Sequence, residues 1–475
     1  MSEAARREPG AVPAGPRGAY AARAAGLLLV LGLSFAGRAM SQTETVGSAG
    51  MPSVYNVGVF GVGNRPEGFD VSGRIGATYS DNLARLPAEA HSETVPEAGV
   101  QLSIVDDRPH LRADVLSNIE YQYYTNHTYG NEVLGGLAGT ALFKLVPEHF
   151  DWFVQDNFGQ TRTSPIDAES PTNRQNVNLF STGPDLIIPF GGPTSLTIDG
   201  RWSKATFQDS QTDNEQIAGI LGISRKLSPD MSLAVKASAQ HVTYDQAIGG
   251  SYDVRSAYLQ YMAVGRRTIL STQLGYTALH QSLGEDSSQP MLAFSLSRML
   301  SPRTTMILDA GTNYSDSAQQ FRLSQSLGGI TLGSNDTVVA SDPLRSDHAS
   351  LSWRFADERT TAQLRGEWLR ERHTRFTEFD REQAGGILNL SHRVTTSVTL
   401  GLAGMYGRQH FTTQGISLDD WSAELTAAWR MSHSLSLLAR AGRYRGTGSD
   451  VNTTTYTYEY TENRASLMLT YGRSR

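Results

Sequence analysis

The chain contains no cysteine, which excludes a disulfide framework and any thiolate metal site. Lysine is almost absent, so arginine supplies nearly every positive charge. That bias has two readings: base composition, or planar guanidinium forks lining a polar conduit. A hydrophobic run long enough to cross a membrane as a helix is also missing. The longest, Ala24–Leu33, falls short of the roughly 18 residues a helical span needs. Apolar faces at helical period are scarce beyond the N-terminus. The 11 histidines never fall into His-Glu-x-x-His or another paired metal spacing, and no Gly-x-Ser-x-Gly elbow occurs. These absences leave no metal site, no cofactor site and no catalytic residue to name. The expectation is a non-enzyme.

What is present begins with a leader. Arg6, Arg7, Arg17 and Arg23 precede the apolar run, and the small residues Gly37 and Ala39 stand before a cut at Met40. This predicts a secretory signal peptide over residues 1–39. Its loss removes five arginines and two acids, taking the formal charge from −6 to −9, and an acidic mature chain argues against nucleic acid as a partner. Residues 40–67 show no alternation and read as a flexible periplasmic lead-in. Their cluster Gly61-Val-Gly-Asn-Arg-Pro66 follows no strand and opens no helix, so it is not a phosphate loop.

From Phe69 onward the chain alternates. Phe69, Val71, Ile75 and Tyr79 take one face while Asp70, Ser72, Arg74 and Thr78 take the other, the period-2 signature of a strand with one greasy and one wet side. Nine hairpins follow, from 94–105 with 110–126 to 419–431 with 434–445, and a last strand covers 460–472. The count is about twenty, with eighteen as the alternative. A decapeptide recurs at their turns. Ser224-Arg-Lys-Leu-Ser-Pro-Asp-Met-Ser-Leu233 returns as Ser297-Arg-Met-Leu-Ser-Pro-Arg-Thr-Thr-Met306, with looser copies at Leu142–Pro147, Ser391–Val398 and Ala428–Leu435. Proline suits a turn and is unfit for the strand interior. Tight turns at one end and longer polar connections at the other predict an all-β fold: a transmembrane antiparallel up-and-down β-barrel over residues 68–475. Long strands, aromatic residues near strand ends and ionisable residues on the opposite face favour this over a soluble sandwich. The longest connection, Ser317–Arg345, is either an external loop or one folded inward to narrow the pore.

Function should then lie on the wet face. Arg74, Asp199, Arg201, Lys236, Asp309, Arg365, Glu367, Glu424, Arg430, Arg440 and Arg464 all fall on the polar parity of their strands. They are candidate pore-lining residues that bias what passes, or else they pair into salt bridges that fill and brace the lumen. His373 and His410 lie near outer strand ends and read as rim residues.

Phe69–Arg85, with its aromatic-x-Asp-Asn step at Tyr79-Ser-Asp-Asn82, resembles the opening of β-barrel porins associated with exopolysaccharide and exosortase systems, the β-barrel porin 2 type. Pro96–Val105 and Leu111–Tyr124 are similar to that family's second and third strands. The resemblance implies an outer-membrane channel serving exopolysaccharide export and passing polar solute or polysaccharide. Its surroundings would be outer-membrane lipid, with the barrel-assembly machinery as a folding partner. A plug domain is not apparent. The last strand, Leu467-Met-Leu-Thr-Tyr471, is followed by Gly-Arg-Ser-Arg475, so the aromatic does not stand last, as it commonly does in outer-membrane barrels. Two other classes stay open: an outer-membrane enzyme acting on lipid or glycan, and a structural barrel whose lumen is blocked. The sequence leaves the oligomeric state open.

Overall fold

Alternating apolar and polar residues rich in β-branched and aromatic side chains fold here as long strands. The computed structural model describes residues 68–87, 90–208, 212–246, 250–328, 334–335, 337–450 and 458–472. The expected signal peptide and lead-in lie outside them. The first ten strands are β1 (Gly68–Ser80), β2 (Glu93–Arg108), β3 (Leu111–Gln122), β4 (Glu132–Val146), β5 (Phe150–Thr161), β6 (Gln175–Pro189), β7 (Thr194–Phe207), β8 (Asn214–Ser228), β9 (Met231–Tyr244) and β10 (Ser251–Val264). The second ten are β11 (Thr268–Gln281), β12 (Ser287–Ser301), β13 (Thr304–Ser315), β14 (Leu344–Ala356), β15 (Thr360–His373), β16 (Arg381–Arg393), β17 (Val398–Phe411), β18 (Ile416–Arg430), β19 (Leu435–Asp450) and β20 (Glu459–Gly472).

Each strand pairs antiparallel with its neighbours in sequence, and β1 closes on β20 from Ser72↔Gly472 to Ser80↔Arg464. Closure leaves no strand edge to be satisfied in lipid. The predicted boundaries hold within a few residues: β3 stops at Gln122 and β19 runs on to Asp450.

Burial is inverted relative to a soluble protein. Asp185, Gln273 and Glu462 are almost fully buried, while Ile75, Val235 and Leu425 are about 60% exposed. An outward apolar belt of this extent has lipid as its solvent. Aromatic residues flank it. Phe69, Trp152, Trp353, Trp429 and Tyr471 lie toward the short-turn rim, and Tyr79, Tyr121, Tyr276, Trp368, Tyr406 and Trp421 toward the long-loop rim. Among the described residues no helix is long and apolar enough to cross a membrane; the strands do the crossing. The protein is a closed twenty-strand barrel of the bacterial outer membrane.

The five copies of the repeated turn all join an even-numbered strand to the odd-numbered strand after it, so they share one rim. In the three copies that carry proline the ladder skips one residue, between Lys144 and Val146, Lys226 and Ser228, and Met299 and Ser301. The skipped residues are Leu145, Leu227 and Leu300, each half-exposed. This explains why a leucine recurs just before the turn in these copies: it is the bulge, which lets the strand twist into the turn while the leucine stays exposed. The Gly191-Gly192 turn uses glycine for another reason. Both residues have positive φ, 89° and 62°, before Pro193 fixes the exit.

Candidate functional site

The connection between β13 and β14 opens with Asp316, an N-cap whose Oδ1 accepts the Gln319 backbone N–H at 2.8 Å. This satisfies an otherwise orphaned donor of helix α1 (Ser317–Gly328). The other carboxylate oxygen accepts from Gln216 Nε2 of β8 at 2.7 Å and from the Tyr252 hydroxyl of β10 at 2.8 Å. Burial pushes the Asp316 carboxyl above its ordinary pKa, against these hydrogen bonds. Ala318 and Phe321 are fully buried among Val177 and Leu179 of β6 and Ala205 and Phe207 of β7. Those four residues occupy the lumen parity of their strands, so the helix lies against the inside of the wall, several strands away from β13. The inward of the two expected arrangements is the one found.

The return leg is fastened as well. Ser334–Asn335 pairs parallel with Gln160–Thr161 of β5, on the edge that β4 leaves free beyond its Leu137↔Phe158 pair. Thr161 Oγ1 donates to the Thr337 carbonyl at 2.9 Å. Ser317 and Ala340 exchange hydrogen bonds across the stem, at 3.0 and 2.9 Å. Asp342 lies 2.8 Å from Nδ1 of His373 and accepts the backbone N–H of Arg375 at 2.9 Å. His373 is therefore at the rim, as expected, but as a fully buried partner of the loop.

The candidate pore-lining residues share strand parity with the buried polar side of the wall, and most are paired. Arg74 meets Glu120 at 2.6 Å, Arg365 meets Glu367 at 3.1 Å and Arg464 meets Glu462 at 2.8 Å. Arg201 forms an ion pair with Asp185 at 2.5 Å, with its guanidinium 4.5 Å from the centre of the Phe153 ring. Asp199 and Lys236 are buried in the same group and attract one another. Asp309 accepts the Ser295 hydroxyl at 2.6 Å, and Glu424 accepts the Tyr444 hydroxyl at 3.1 Å. Arg430 holds the short turn through the Thr396 carbonyl at 2.7 Å. Arg440 is exposed and has no hydrogen-bond or ion-pair partner among the described residues.

Sequence reasoning missed the partners. Glu120, Asp185 and Glu462 carry the same parity signal but were not singled out. It also missed Arg85, which has φ of 52°, sits 3.2 Å from Glu169 and 3.1 Å from Glu462, and lies over the Tyr444 and Tyr460 rings. Burial would raise the Glu169 carboxyl, but Arg85, with Arg162, Arg174 and Arg464, holds it down at about 2. The Tyr79–Asn82 motif sits at this same place. Ser80 donates to Glu462 at 2.6 Å, Asp81 accepts both the backbone and side-chain amides of Asn463 at 2.7 Å, and Asn82 donates to the carbonyls of Leu86 and Thr461. It staples the seam between β1 and β20.

No family model matches this sequence, and no curated protein matches it. Among solved structures the chain is similar to the ferric enterobactin receptor PfeA of Pseudomonas aeruginosa, at 10% identity over 86% of this chain and 81% of that one, with a TM-score of 0.45. It is likewise similar to the siderophore receptor PirA of the same organism, at 11% identity over 86% and 81%, TM-score 0.42. A third is the FrpB iron transporter of Neisseria meningitidis, at 9% identity over 86% and 83%, TM-score 0.44.

Proposed function

We propose that this barrel is a gated outer-membrane channel for polar solutes, with the inward loop as its constriction. The observation that carries the reading is the pairing of a charged interior wall with α1 held inside it by Asp316, Phe321 and Asp342. Polar and ionisable groups on a wet face suit a hydrated solute, and a loop fixed at its stem narrows what they surround. Passage of glycan, in exopolysaccharide export, is the finer reading. It is supported by the resemblance of residues 69–85 and 96–124 to the exopolysaccharide-associated porins, although Ser80, Asp81 and Asn82 already have a structural role at the seam.

One observation favours a blocked structural barrel instead. Three apolar clusters lie inside the long-loop end, around Phe321, Phe411 and Leu279. The enzyme reading gains less support. His373 and Asp342 form a buried pair, yet among the described residues Nε2 of His373 has no hydrogen-bond partner, so no serine hydroxyl is placed there for it to activate.

Planar-bilayer conductance with sugar-size exclusion separates these readings. Wild-type protein should conduct, and the Asp316→Ala/Asp342→Ala variant, which frees the loop stem, should conduct more and admit larger neutral sugars. If neither folded protein conducts, the transport reading fails and the blocked barrel stands. Hydrolysis of lipid or glycan by the wild type would instead favour the enzyme.

A further inference from the structure

The lumen is not the only place where arginine is concentrated. On β14–β19, six arginines occupy the lipid-facing parity at the long-loop rim: Arg345, Arg370, Arg372, Arg408, Arg443 and Arg445. Their side is fixed by register, because each shares its strand's parity with exposed belt residues or pairs with a residue that does. Arg445 is opposite Trp421, Asp347 is opposite Arg370, and Ala349 is opposite the outward Trp368 two residues below. The arginines thus stand at or just beyond the aromatic girdle. From Leu435 to Arg443 the chain climbs roughly 20 Å at ~3.3 Å per residue and a tilt of about 40°. Below Arg443 the outward positions of β19 are Leu435, Leu437, Ala439 and Ala441, so the first charge appears in the upper part of an apolar band ~25 Å tall, within a long side chain's reach of its edge.

Three acids on the same face answer three of these arginines: Asp347 with Arg345 at 3.0 Å, Glu382 with Arg370 at 3.1 Å and Asp419 with Arg408 at 4.0 Å. Arg372, Arg443 and Arg445 are exposed and form no ion pair among the described residues. A second feature points the same way. Arg345 and Arg372 are direct cross-strand partners, and like charges placed opposite one another destabilise a sheet; Asp347 bonds Arg345 and leaves Arg372 unanswered. Another sector differs. On β7–β11 and the connection after β11 the outward rim carries Lys204 and Arg255 among Glu215, Asp253 and Asp286, with His241 and His280 bonded to the latter two aspartates.

We infer that the β14–β19 rim binds the phosphates of an anionic glycolipid in the outer leaflet, of the chemical type of lipid A. The outward arginines that no acid answers face water or headgroups, and guanidinium forks match phosphate oxygens in bidentate geometry. Trp368 and Trp421 would pack beside the sugar and the first methylenes of the acyl chains. The lipid would bind one sector of the barrel and leave the acidic sector bare.

The test uses the full chain folded in detergent and titrated with bis-phosphorylated lipid A, read by tryptophan fluorescence and native mass spectrometry. Wild type should bind it, should bind dephosphorylated lipid A at least tenfold more weakly, and should not release it to excess inorganic phosphate. Arg372→Gln/Arg443→Gln/Arg445→Gln should lose at least tenfold, while Lys204→Gln/Arg255→Gln should bind as wild type does. Equal affinity for the dephosphorylated lipid, a triple variant within threefold of wild type, or displacement by phosphate alone would each overturn the inference. If the triple variant fails the heat-modifiable gel shift of a folded barrel, Arg445→Gln and the comparison of the two lipids on wild type decide it.

Discussion

Glu169 shows how single residues at the long-loop rim are held by charge. It lies in the connection between β5 and β6, bonded to Arg85, which reaches it from the connection after β1. Because the folded carboxyl is held at about 2, below its ordinary 4.5, the ionised form is favoured by folding. That contribution is fully present above about pH 4.5 and is lost as pH falls toward 2. Pepsin should therefore leave the 162–174 connection of wild type intact at pH 4 and cut it as pH approaches 2, whereas Glu169→Gln should be cut at both. Equal cutting of both proteins at pH 4 would show that the pair does not hold this segment. The sequence marked neither partner, because Arg85 and Glu169 stand in irregular segments 84 residues apart, where no periodicity tells which way a side chain points.

At the scale of the element, parity and height along a strand set what each position tolerates. Leu221, midway along β8, and Leu227, the bulge at its end, are both half-exposed, and a soluble protein would treat them alike. In lipid they differ. Leu221→Arg should destabilise the barrel by about 2–4 kcal/mol, and Leu227→Arg by less than about 1 kcal/mol, because the cost of a charge falls from bilayer midplane to interface. Reversible denaturant unfolding in lipid vesicles measures both, and similar losses would mean that Leu227 is buried in hydrocarbon rather than at its edge. The strands, their faces and the turns were legible in the chain, since period 2 and the repeated proline turn are local signals. Helix α1 was not, although Asp316-Ser-Ala-Gln319 spells a capping sequence and Ala318 and Phe321 are three apart. Its apolar face is short and it packs on residues 111–144 positions earlier, so nothing local announced it.

For the whole molecule, the distribution of paired and unpaired charge decides which lumen residues can act on a passing solute. Arg201, Arg365 and Arg464 are neutralised by acids on the same or the next strand, and Arg74 by Glu120 two strands away, so reversing any of them disturbs a brace as well as a field. Arg440 is the cleaner probe. Arg440→Glu should shift the reversal potential of a salt gradient toward cation selectivity while leaving the barrel folded. An unchanged reversal potential would place the conducting path away from β19.

The sequence by itself determined the barrel, a strand number of twenty or eighteen, the two faces of the strands and the rim at which the tight turns lie; closure of β1 on β20 settled the number at twenty. Each follows from backbone geometry that repeats every two residues and from the cost of unpaired peptide groups in lipid. Only the tertiary structure decided that the long connection turns inward, that most lumen arginines are matched by acids, and that Tyr79–Asn82 closes the ring. Those outcomes depend on which residues closure brings opposite one another, and on whether burial of Phe321 and the bonds to Asp316 and Asp342 outweigh the entropy of a free loop.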